Sequence, residues 1–190
     1  MTQTSVKLTF EDYLAYSDDD NRYEFVNGEL VLMAPLRSEH ADIIDFLQDA
    51  LKAEIKRLKL DWVVRPGNVG VRTSETKSRL PDLVVITEAQ RLALRNVCAV
   101  LQSPPPLVVE IVSNSTKTVD YRAKRAEYAV LDIPEYWIVD PLEDKVTVLL
   151  LVEGLYEETV FRGDEQIISQ TFPELTLMTE TNINSLSSEK

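Results

Sequence analysis

The segment from Ser38 to Lys59 narrows most sharply what this chain can become. Its apolar residues Ile43, Ile44, Leu47, Leu51, Ile55 and Leu58 recur at intervals of three and four. That spacing sets them on one side of a helix of about six turns and leaves the other side charged. A helix with one apolar stripe must bury it against a second layer, and the flanking segments supply one. "YEFVNGELVLM" alternates around Asn27-Gly28, a dipeptide suited to a two-residue turn, so residues 22–26 and 29–33 read as an antiparallel hairpin. After the helix, "WVVRPGNVGVRT" and "SRLPDLVVI" read as strands interrupted at Pro66-Gly67 and at the polar run "SETKS". Interleaving of this kind predicts an α/β fold, a mixed β-sheet flanked by helices with an N-terminal hairpin.

The remaining segments fit that frame. Thr9 is placed to cap a short helix ending near Ser17, with Asp12 three residues on. "EAQRLALRN" reads as a second short helix, and "SPPP" as a stiff entry to a strand from Leu107. In "VDYRAKRAEYAVL" a helical repeat runs through Tyr121, Ala123, Tyr128, Ala129 and Leu131 until Pro134 ends it. "PEYWIVD", "KVTVLLLVEGLYEETVF" and "QIIS" read as strands, with a turn at Glu153-Gly154, and "TFPELTLM" packs at the end. With 190 residues, no internal repeat and no Gly/Ser linker, a single domain over 1–190 is expected, its tail 181–190 solvated and mobile.

Composition bounds the function. No run approaches the roughly 20 apolar residues of a membrane span. Together with a single cysteine, that leads us to expect a cytoplasmic protein. Cys98, in "NVCAV", reads as a small core residue. One Cys and one His exclude a zinc centre built from those ligands. The net charge of −12 argues against a protein that coats nucleic acid nonspecifically, yet a cleft that gathers carboxylates for a metal is negative by its nature.

Two strands carry acids where apolar residues are the rule. "RLPDLVVI" brings Asp82 to the start of one run, and "LVVEIVS" sets Glu110 inside another, 28 residues later. A carboxylate among Val and Ile is costly unless it is paired, hydrogen-bonded or bound to a metal. If the strands are neighbours, Asp82 and Glu110 could converge on a hard cation such as Mg²⁺ or Mn²⁺. The alternative is a solvent-facing Glu and a Pro-Asp turn. Lys117, Arg122, Lys124 and Arg125 crowd the segment just after Glu110, as a phosphate-facing mouth or as a solvated helix face, the plainer reading for Lys117 and Arg125. Asp120 reads as a helix N-terminal acid, Ser113 as a cap on the break after the strand, and Tyr136 and Trp137 as core aromatics. His40 has two readings, a role beside the acids or a capping and surface role.

Taken in order, "PD" at 81–82, "VEIVSNST" with Glu110, "DYRAKRAEY" with Lys124 and Tyr128, and "IPEYWIVDP" at 133–141 resemble the Uma-two family of bacterial restriction endonucleases, within the PD-(D/E)XK nuclease superfamily. "YEFVNGELVLM" and the helix with His40 extend the resemblance over roughly residues 8–178. It implies a restriction-endonuclease-like core, Asp82 and Glu110 as metal ligands for Mg²⁺ or Mn²⁺, and DNA as substrate. It also implies an endonuclease hydrolysing phosphodiester bonds through metal-activated water; apart from the resemblance, a homodimer is expected, since two open clefts would suit a double-strand cutter. One departure matters. The superfamily places a lysine two residues after the second acid, where this chain has Val112. Lys124 is the matching candidate for a lysine moved to the next helix, and Glu24, preferred over Glu29, resembles the family's N-terminal acid. Val112 and the net charge also leave open a degenerate nuclease fold serving as a binding or regulatory module.

Overall fold

A computed structural model describes residues 7–16 and 21–179. In chain order the elements are α1 (Phe10–Ala15), β1 (Tyr23–Val26), β2 (Glu29–Leu32), α2 (Ser38–Arg57), β3 (Val63–Pro66), β4 (Gly70–Ser74), β5 (Lys77–Arg79) and β6 (Leu83–Ile86). There follow α3 (Glu88–Ala93), β7 (Val100–Leu101), β8 (Leu107–Ile111), a π-helical turn (Val119–Lys124) that runs into α4 (Arg125–Val130), β9 (Glu135–Asp140), β10 (Lys145–Val152) and β11 (Leu155–Arg162). Local chemistry explains several boundaries. Thr9 and Asp12 form a reciprocal capping box on α1. Asn27 and Gly28 both take positive φ, +54° and +84°, as a tight hairpin turn demands.

All the expected strand segments but "QIIS" form strands, and they divide between two sheets. One has five strands in the order β2-β1-β5-β4-β7, the other six in the order β11-β10-β9-β8-β6-β3. The chain passes from the larger sheet to the smaller after Pro66-Gly67 and returns at Leu80-Pro81. Of the two breaks in the sequence pattern, Pro66-Gly67 is thus a crossing between sheets and "SETKS" a hairpin turn within the smaller one, while the return crossing falls inside the run "SRLPDLVVI". "QIIS" forms no strand; only an isolated bridge joins Gln166 to Met178, while Phe172, Leu175 and Leu177 pack into the core as expected. Segments of the expected first helix and tail, residues 17–20 and 180–190, lie outside the described residues.

The six-stranded sheet is buried on both faces. Ile43, Ile44, Leu47, Leu51 and Ile55 of α2 cover the face formed by Leu83, Val85, Leu107, Val109, Ile111, Trp137 and Val139. On the opposite face Val84, Val108, Val112 and Ile138 meet Tyr128 of α4, with Tyr136 and Tyr156. Because side chains alternate along a strand, Glu110 belongs to this second face, between Val108 and Val112. Cys98 departs from the core role expected of it and is exposed. Among the described residues, no helix is long and apolar enough to cross a membrane.

Candidate active site

The antiparallel pairing of β6 with β8 matches Leu83 to Val109 and Val84 to Val108. One further step sets Asp82 beside Glu110. Asp82 enters where the chain has just crossed between sheets, and its Oδ2 accepts the Ile111 N–H at 2.7 Å. Its own carbonyl accepts the Gly67 N–H at 2.9 Å. The side chain keeps 15% of its surface open. Asp82 also lines a cavity of about 240 Å³ with Arg22, Ala41, Pro66 and Gly67.

Glu110 is 2% exposed. Both its oxygens have partners from the helical segment that covers this face: Tyr128 Oη donates to Oε1 at 2.7 Å, and Lys124 Nζ lies 2.8 Å from Oε2. Lys124 is itself buried and draws in two more acids, Asp120 Oδ1 at 3.0 Å and Glu24 Oε1 at 3.7 Å. Glu24 is held by the guanidinium of Arg79 at 2.8 Å, and Arg79 bridges in turn to Glu127 of α4 at 2.7 Å. An ionic chain thus links β1, β5 and α4 to the end of β8.

The electrostatics follow from this crowding. Burial pushes the Glu110 carboxyl up to about 8, Lys124 opposes the shift, and Asp82 and Asp120 add to it. Burial also raises Asp120, against the pull of Lys124. Burial favours a neutral Lys124, but the carboxylates of Glu110, Asp120 and Glu24 outweigh it and hold the ammonium charged. One buried ammonium faces more acid than it can neutralise.

The predicted site residues Asp82, Glu110, Lys124 and Glu24 therefore come together in space, whereas Glu29 is exposed at the hairpin turn. His40 is drawn in as well: its Nε2 lies 3.1 Å from Asp82 Oδ1, though out of line for a hydrogen bond. Asp120 stands in the first turn of the helical segment, as expected, and is in addition 1% exposed and turned onto Lys124. Its i,i+4 spacing to Lys124 was the available signal. Lys117 instead pairs with Asp140 and Glu143, and Arg125 with Glu158. Ser113 closes the break after β8 with Ser115 and Thr116. A larger cavity of about 630 Å³, lined in part by Leu14, Leu94, Val97 and Cys98, includes none of the predicted site residues.

The donor set suits a small hard cation. Two carboxylates stand side by side, and the oxygens of Glu110 retain acceptor capacity beyond the two partners they have. Mg²⁺ is commonly held through one or two carboxylates while keeping several waters. Among the described residues, no group of three or more Cys, His, Asp or Glu is placed to hold a metal ion, so a cation here would rest on one or two carboxylates and water.

Two mixed sheets with helices on their faces make this a restriction-endonuclease-like fold. The chain belongs to the Uma2 family, described as "Putative restriction endonuclease", whose family model matches residues 10–180. A solved structure described as "a putative nuclease belonging to DUF820", from Anabaena variabilis, is similar over 94% of this chain and 98% of its own, with a TM-score of 0.78 at 17% sequence identity. No protein with a curated description matches.

Proposed function

We propose that the protein is a metal-dependent endonuclease that hydrolyses DNA phosphodiester bonds, with Asp82 and Glu110 holding Mg²⁺ or Mn²⁺. The observation that carries this reading is the position of Asp82 one residue before the Leu83–Val109 pair, where its carboxylate accepts the Ile111 N–H and acts electrostatically on Glu110, with the Lys124 ammonium 2.8 Å from Glu110. The surplus of acid over base at that point is what a divalent cation would balance. When bound, such a cation polarises a phosphoryl oxygen and lowers the pKa of a water molecule. Lys124 supplies positive charge where the attacked phosphate gains negative charge, and its burial makes that charge count for more than it would in water. Glu24 and Arg79 fix the far side of the ammonium, so Glu24 serves the lysine before any metal. Asp82, the more open of the two acids, faces the cavity through which a phosphodiester would approach.

A second reading, a binding or regulatory module on a degenerate nuclease fold, is favoured by one observation: Glu110 is closed off by Tyr128 and Lys124. Calorimetry of Mn²⁺ with the wild type, Asp82→Asn and Glu110→Gln, followed by cleavage of plasmid and oligonucleotide DNA, separates the two. We expect binding and cleavage in the wild type, and neither in the variants. Absence of Mn²⁺ binding in the wild type would leave the module reading standing.

A further inference from the structure

We propose that Asp120 is a positioning residue that holds the Lys124 ammonium in register with Glu110. The proposal rests on the reading above, in which Lys124 meets the charge that develops on the phosphate. Asp120 is 1% exposed, and its Oδ1 lies 3.0 Å from Lys124 Nζ without aligned hydrogen-bond geometry. Among the described residues no hydrogen bond reaches that oxygen, although the carboxyl as a whole is also held by the Thr116 side chain. A buried carboxylate kept only for folding has fixed donors, because an unsatisfied oxygen in the interior costs free energy. Asp140 in the same sheet shows the usual arrangement, its Oδ1 accepting the N–H groups of Leu142 and Glu143 at 3.1 and 3.2 Å. Asp120 Oδ1 has instead a cation that two other acids also claim.

The backbone around Asp120 is shaped for this. Residues Val119–Lys124 form a π-helical turn at the head of α4. Such turns are wider than α-helix, and they persist where a side chain must be presented at an angle the regular helix would not give. The buried hydroxyl of Tyr136 donates to the Asp120 carbonyl at 3.1 Å, tying the turn to β9 beside Glu110. Glu110 on one side and Asp120 on the other thus bracket Lys124 Nζ at 2.8 and 3.0 Å, and Glu24 closes the third direction at 3.7 Å. Three N–H donors face three acids. Removing one acid while keeping its shape lets the ammonium swing toward the other two, away from the line in which it meets the phosphate.

The test compares Asp120→Asn and Asp120→Glu with the wild type as full chains, under Mn²⁺-supported DNA cleavage. Asp120→Asn is expected to lower kcat by about ten- to a hundredfold while KM stays within about twofold, and Asp120→Glu to recover part of the loss. In the same proteins, ¹⁵N NMR of the Lys124 side chain is expected to show a protected ammonium in the wild type and its loss in Asp120→Asn. A folded Asp120→Asn with unchanged kcat, or with a raised KM alone, overturns the proposal. If the wild type cuts no DNA, the nuclease reading fails by itself. The ammonium signal then still decides whether Asp120 holds Lys124, and its survival in Asp120→Asn refutes that.

Discussion

Glu110 and Glu135 lie on neighbouring parallel strands and are almost equally hidden, 2% and 1% exposed. Their company differs. Glu135 accepts the Trp137 indole N–H and the Thr171 backbone N–H, both at 2.6 Å, which pins the C-terminal segment to the sheet. Glu110 accepts one hydroxyl, faces one ammonium, and feels the charges of Asp82 and Asp120. Burial of an acid is thus no mark of chemistry in itself. Glu135 is held by fixed neutral donors alone, whereas Glu110 shares its cation with Asp120 and Glu24 and has Asp82 near it.

The largest effect that would sharpen this comparison is on cleavage. If the proposed metal site is right, Glu110→Gln and Asp82→Asn lower kcat by on the order of a thousandfold, since each removes a carboxylate charge but keeps its shape. Glu135→Gln should leave kcat within about twofold. A comparable loss in a folded Glu135→Gln, measured on the same plasmid substrate, would erase the distinction.

Stability against pH comes next. The Glu110 carboxyl stands near 8 in the folded chain against an ordinary 4.5. Between those values the folded state binds the extra proton, so stability falls as pH rises from about 4.5 to 8. The fall is on the order of a few kcal/mol, and Lys124, charged in both states over this range, does not offset it. Urea unfolding at pH 5 and pH 8 should show this drop in the wild type and much less of it in Glu110→Gln. Equal pH slopes in the two proteins would mean that Glu110 is not where the excess charge is felt.

Smaller effects test the other half of the comparison. Glu135→Ala strands two buried donors and is expected to cost about 3 kcal/mol, read as a lower urea midpoint. Arg125→Ala removes a surface pair with Glu158 and should cost less than about 1 kcal/mol with kcat unchanged. A large loss of activity there would return Arg125 to the phosphate-facing role that its pairing with Glu158 argues against.

Much of this was legible beforehand because it is local. The spacing of Ile43, Leu47, Leu51 and Ile55 gave α2, and Asn27-Gly28 gave the first hairpin, since each depends on residues close in sequence. Asp82 and Glu110 could be picked out as misplaced acids, but their adjacency depends on the register of β6 against β8, which no short window contains. The two sheets were hidden for a related reason. A break such as Pro66-Gly67 looks the same whether the chain turns within a sheet or leaves it. Asp120 is legible as a helix-start acid, but its burial is not, because an acid four residues before a lysine is common on exposed helices and only the packing around Lys124 and Tyr136 distinguishes this one. Cys98 was assigned by residue type, while its surroundings leave it exposed.

Glu110, Asp120, Lys124 and Tyr128 all fall within residues 110–128, whereas Asp82 and Glu24 arrive from earlier strands. Contacts between residues close in sequence require little loop closure, so they form sooner than contacts across the chain. β8 and the helical segment behind it would then assemble as a nucleus already carrying its ammonium and hydroxyl. The five-stranded sheet would add Glu24 and Arg79 when it docks. Pulsed amide exchange during refolding should find the helical amides of Arg125–Val130 protected before the pairing of Val26 with Lys77 that joins β1 to β5; the reverse order would show that sheet docking comes first.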